Sequence, residues 1–232
     1  MHRSFVTRSV RLHHHQELPC RRQDALHLVD LLSAGDPALR QQVRDRLEAE
    51  GVDSLLDDPR ILNALLTRVD VKARPALVFY VLVRQALLEG GVEDRDLADY
   101  VTSVVLAFSR GRRAYRVSDT DEHEYRYLVD IVARLGESSS DEAFLLRTHL
   151  GEFSLWLSGV FPDFIEARAR RRGAPPMTYY EQMGATGYTM ASESPEAKTL
   201  GVRPVFCEVS RSFTSVRVAL NRISDQIGRA HV

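Results

Sequence analysis

PVFCEVSRSFTSVRVALNRISDQI, residues 204 to 227, carries the most regular apolar pattern in the chain. Phe206, Val209, Phe213, Val216, Leu220, Ile223 and Ile227 recur three and four residues apart without a miss. A helix turns once in 3.6 residues, so this spacing puts all seven on one face and predicts a single long C-terminal helix with a heptad seam. The flanking Ser210, Ser212, Ala219, Ser224 and Gln226 are small or neutral where a two-stranded zipper places paired charges, with Arg217 the exception. Small flanks let other helices approach closely, which favours packing into the protein's own bundle over a dimer seam.

Helix punctuation recurs upstream. Pro19 opens a first segment through Leu32, and Asp36-Pro37 and Asp58-Pro59 each place a capping side chain before a proline at the first helical position. Pro75 to Glu89 is apolar around most of its circumference and is expected at the centre of the fold. Asp94 to Ser109 has helical spacing, although its valines and threonine raise a strand alternative over Tyr100 to Phe108. Further helices are expected over Thr120 to Leu135, from Ser140 to about Leu157, and from Pro162 to Arg172, with a short piece after Ser194-Pro195. Ser139 with Glu142 and Thr178 with Glu181 both match the capping-box pattern. The expected fold is all-α, a compact bundle of roughly nine to ten helices. Residues 1–18 are expected to be a flexible N-terminal segment, 19–227 a single helical domain, and 228–232 a frayed tail.

The chain has 232 residues, 44% hydrophobic and 27% charged, enough to bury a sizeable core. Its formal net charge of −1 supplies no global field for a polyanion, so binding to nucleic acid or a membrane surface would need a local patch. Of 31 basic residues only Lys72 and Lys198 are lysine. The bland explanation is a GC-rich coding bias, and the functional one is that the guanidinium fork matches phosphate and carboxylate. Cys20 and Cys207 are too far apart in sequence to read as a disulfide framework, the N-terminus has no apolar run with the length of a signal core, and the strongest run, Ala76 to Val83, falls far short of a bilayer span. A cytoplasmic location is expected.

No phosphate-loop, dinucleotide, nucleophile-elbow or zinc-protease motif is present in the sequence. His149 and Glu152 stand three apart on one predicted helix, half of a di-iron pattern in reversed order with no second copy, and read as a structural pair. His13, His14 and His15 with Glu17 and Cys20, and His123 between Glu122 and Glu124, offer no preorganised ligand set. No catalytic residue, metal or cofactor is expected.

Two arginine clusters and a run of aromatic rings remain. Arg110, Arg112, Arg113 and Arg116 fall in a loop, where side chains converge easily on an anion. Arg168, Arg170, Arg171 and Arg172 fall at a helix C-terminus, where the dipole favours cations whether or not anything binds. They lead through Gly173-Ala174-Pro175-Pro176 to Tyr179, Tyr180 and Glu181. Within the stretch from His149 to Gly184, rings before Pro162 are expected in the core and those after it are candidates for the surface. The sequence therefore points to a non-enzymatic protein-interaction or regulatory module using the surface from Phe161 to Tyr188, with another protein or its own copy as partner. The competing expectation is an anion or nucleic-acid binder using both arginine clusters.

Overall fold

A computed structural model describes residues 22–67, 73–109, 112–117 and 123–230. Among them are thirteen α-helices and no strand. In chain order they are α1 (Arg22–Ser33), α2 (Pro37–Glu50), α3 (Val52–Leu56), α4 (Pro59–Thr67), α5 (Pro75–Glu89), α6 (Arg95–Ser109), α7 (Leu128–Leu135), α8 (Ser140–Val160), α9 (Pro162–Arg172), α10 (Met177–Ser192), α11 (Pro195–Leu200), α12 (Arg203–Arg211) and α13 (Phe213–Ala230). The expected flexible segment 1–18 lies outside the described residues.

The protein is all-α, with more helices than expected because one short helix falls between two expected ones and one continuous pattern is broken. Val52–Leu56 forms its own short helix after Gly51, and the C-terminal segment divides at Ser212. The apolar stripe survives that division, since Phe206, Val209, Phe213, Val216, Leu220 and Ile223 are all buried. Tertiary packing accounts for the break: α12 lies against α10, whereas α13 runs along α8 and α5. Ser212 donates its hydroxyl to Glu208 at the bend (2.8 Å), and Ser210 donates to the Ala185 carbonyl of α10 (2.9 Å). One straight helix could not satisfy both neighbours. The stripe is covered by the chain's own helices, and α13 continues past Gly228 to Ala230.

At the other end, α1 to α4 pack together and reach the rest of the bundle through α5 and through Arg95 of α6, which pairs with Asp53 and Asp57. Both Asp-Pro caps act as expected at their backbone. Asp36 accepts from the Ala38 and Leu39 amides at 2.8 and 3.3 Å. Asp58 accepts from the Arg60 amide at 3.0 Å and binds the Arg46 and Arg60 guanidiniums as well. Buried Arg84 of α5 grips Asp57 and donates to the Glu93 carbonyl at 2.7 Å, tying α3 to the α5–α6 connection.

Three local expectations are corrected. The helix placed over Thr120 to Leu135 begins at Leu128, where the Asp130 carboxylate accepts from the Tyr127 amide (3.2 Å) and the Tyr125 amide is drawn away to the Tyr115 carbonyl (2.7 Å). Ser139 does precede α8, but its side chain makes no capping bond, and Glu142 instead pairs with Arg134 at 2.7 Å. Thr178 is not a cap, because α10 starts at Met177 after Pro176, and Glu181 turns to Arg217.

The bundle closes around α8. Its Gly151, Ser154 and Ser158 share a face with Arg147, and α10 answers with Gly184, Gly187 and Ala191. A Cβ at Gly187 would lie 2.8 Å from the Gly151 amide nitrogen and 2.9 Å from the Arg147 carbonyl oxygen. Backbone therefore meets backbone. The same closeness brings the Tyr188 ring over Gly151 and the Phe213 ring over Gly184.

Two outcomes are expected. Gly187→Ala must push α8 and α10 apart and lowers unfolding free energy by about 3 kcal/mol, whereas Gly136→Ala, facing only the ordinary contact with Ala133, changes it by less than about 0.5 kcal/mol; urea titration compares them. The second concerns Asp58, whose carboxyl is held well below the usual carboxylate range, chiefly by the Arg60 side chain and against the opposing effect of burial. Its contribution is complete above the unfolded value of about 4 and is lost as pH falls through the lower folded value. Asp58→Asn costs about 2 kcal/mol at neutral pH, and the gap to wild type narrows as denaturation is repeated down towards about pH 2.

Candidate interaction surface

Two groups of polar and aromatic residues can be built from this frame, one closed and one open. The closed group lies where α6, α8 and α10 meet. Tyr100 donates to Glu152 Oε1 at 3.1 Å, and its oxygen lies 3.2 Å from that of Tyr188. Both tyrosines and Glu152 are buried. Burial first, and the Glu152 charge second, holds both phenols far above the usual tyrosine range, so they remain protonated. His149, one turn before Glu152, stacks between Phe108 and Phe153 with ring centroids at 5.8 and 5.9 Å. The His149 and Glu152 pairing seen in sequence thus falls in the core, wedged by rings. Among the described residues, no group of three or more His, Cys, Asp or Glu is placed to hold a metal ion.

The open group lies where α7, the α8–α9 corner and the 3-10 turn over Arg112–Tyr115 come together. Eight large apolar side chains are exposed among the described residues, and six belong to these elements: Tyr115, Tyr127, Val129, Val132, Phe161 and Phe164. Phe161 is 42% exposed and Phe164 49%, while Tyr127 and Val129 reach 54% and 62%. These values identify a presented surface, because rings of this size bury large areas when the fold can use them. The Arg168 guanidinium carbon stands 5.7 Å from the Tyr127 ring centre and 5.3 Å from that of Phe164. Trp156 joins Phe161 at 5.0 Å to Tyr115 at 6.5 Å. The link between Tyr115 and Tyr127 is the Tyr125 to Tyr115 backbone bond.

The expected site residues divide accordingly. Arg168 is in the open group and Arg171 is exposed beside it. Arg170 faces Glu166 at 3.7 Å, an exposed pair worth little. The Arg172 side chain lies outside the described residues, as do Arg110 and the side chains of Arg112 and Arg113. Arg116 reaches Glu124 at 3.4 Å. Beyond Gly173, whose left-handed backbone ends α9 (φ 60°), the elbow is mostly structural. Tyr180 is buried, with Tyr179 packed edge-on against it at 5.6 Å. Glu181 accepts from Arg217 at 2.7 Å, and Arg217 in turn holds Asn221, which donates to the Ser158 and Gly159 carbonyls.

The division of rings at Pro162 therefore needs correcting. Tyr180 and Tyr188 follow it yet are buried, because α10 packs tightly on α8. Phe161 precedes it yet is exposed, and Tyr115 and Tyr127, which lie outside that stretch and carry no site expectation, are exposed as well. Their signal was weak: both flank the acidic stretch 118–124, which read as the start of a helix.

Tyr100→Phe is expected to cost about 2 kcal/mol by removing a donor from a buried carboxylate, and Phe164→Ser to change stability by no more than about 0.5 kcal/mol; chemical denaturation of both variants separates the closed group from the open one. No helix among the described residues is long and apolar enough to cross a membrane. Comparison with protein-family models, with curated proteins and with solved structures found no match.

Proposed function

We propose that the protein is a cytoplasmic, non-enzymatic helical module that binds another protein through the aromatic surface around Arg168. The observation that carries this reading is the clustering, among the described residues, of six of the eight exposed large apolar side chains on one set of adjoining elements. Single exposed apolar residues are ordinary, whereas a group rimmed by polar ones marks an interaction site. Arg and Tyr are the side chains that most often anchor protein interfaces. The α9 start adds support, since Phe161 and Phe164 stand on rigid backbone fixed by Pro162. In the core, Tyr100 is used against Glu152 and Tyr188. Two cysteines at opposite ends of the chain suit a reducing compartment.

The competing reading, an anion or nucleic-acid binder, has less behind it. Arg116 and Arg170 already face carboxylates, and exposed rings add nothing to a purely electrostatic grip.

The test immobilises the full chain beside a Phe161→Ser/Phe164→Ser variant whose thermal midpoint is unchanged, and compares what each retains from a lysate at about 0.05 and 0.5 M salt. The expected result is a protein held at both salt concentrations by the wild type alone, and held again after that protein is purified. Equal retention by the variant, or retention only of nucleic acid released by salt, overturns the proposal.

A further inference from the structure

The chemistry of the partner can be read from how the cations around these rings are satisfied. Most described arginines are consumed internally: Arg46 and Arg60 by Asp58, Arg84 by Asp57, Arg134 by Glu142, Arg217 by Glu181. Arg168 differs. Among the described residues no carboxylate pairs with it, and it is the one arginine held over aromatic faces. Its guanidinium carbon lies over two rings, while its Nε is buried without a hydrogen-bond partner. Arg171, one turn on, is exposed and likewise pairs with no carboxylate among the described residues. A guanidinium oriented by rings and lacking an anion is preorganised for one, because the entropy of fixing a long side chain has already been spent.

Resting on the protein-binding reading above, we infer that the partner is a different polypeptide presenting an acidic segment with interspersed large apolar side chains, its carboxylate meeting Arg168 while its apolar groups cover Phe161 and Phe164. Charge complementarity selects this occupant. A second copy docked through the same patch would bring a second Arg168 and a second Arg171 into one interface, since a two-fold interface sets like patches together. Like charges brought together at an interface are costly, and opposite charges set register and partner choice. A single strand of nucleic acid would satisfy the cations and could stack on rings, but gives nothing to aliphatic Val129 and Val132 beside Tyr127.

The experiment selects a display library of random peptides of about twelve residues on the immobilised full chain, discarding those that also bind the Phe161→Ser/Phe164→Ser variant. The expected survivors are enriched in Asp and Glu next to Phe, Leu or Trp. Synthetic survivors are then measured by fluorescence anisotropy. Arg168→Gln should weaken them about tenfold and Arg168→Lys nearly as much, because an ammonium keeps the charge and loses the planar fork. Survivors that are apolar without acid excess, or whose affinity is indifferent to Arg168→Gln, overturn the acidic partner and leave the surface standing. No survivors after the discarding step overturns both. A labelled thymidine oligonucleotide bound more tightly than any survivor, with affinity falling steeply in salt and lost in Arg168→Gln, assigns the patch to nucleic acid and overturns the inference.

Discussion

Everything in this bundle is arranged around one contact in which two helices have no side chain between them. Where α8 crosses α10, the Gly187 backbone sits directly on Gly151 and on the Arg147 carbonyl. Helices usually keep 8 to 10 Å between axes because side chains hold them apart, and only paired glycines remove that spacer. Once the axes are this close, large groups must be accommodated to either side. Tyr188 lies across Gly151 and Phe213 across Gly184, while Leu220 lies against Gly159. Rings that would need space of their own are instead fitted over places where a side chain is missing. The polar core follows from the same approach, since it brings the Tyr188 phenol within reach of Tyr100 beside Glu152.

Much of this was legible in sequence, and the reasons differ by element. The Asp-Pro starts were readable because a short acceptor followed by a fixed φ has few other uses. The C-terminal stripe was readable as a buried face, because burial depends only on period. Its division at Ser212 was not, since nothing in period 3.6 records that the first half must lie on α10 and the second on α8 and α5. The capping boxes at Ser139 and Thr178 show the same limit from the other direction. Each pattern was present, but its glutamate found a stronger partner in Arg134 or Arg217. A charge-assisted pair outcompetes a local cap when tertiary structure supplies the arginine.

The surface was half legible. Arg168 could be singled out because arginines cluster there, but a helix end explains such a cluster equally well. What separates Arg168 from Arg170 is its neighbourhood: one stands between rings, the other beside Glu166. Tyr127 lies 41 positions earlier in the chain (168 − 127 = 41), and no local pattern connects the two. Tyr180 and Glu181 were lost to the site for the converse reason, because the same close helix crossing draws α10 inward.

Tyr127 also has two employments that cannot be separated. Its amide is the group that Asp130 accepts from to begin α7, and its ring is one wall of the Arg168 sandwich. If α7 began one residue earlier, Tyr127 would exchange its extended backbone (φ −132°, ψ 147°) for helical angles and its ring would leave its present position. Arg168 would then keep only the Phe164 ring. The start of a short helix and the setting of a surface arginine thus depend on the same residue.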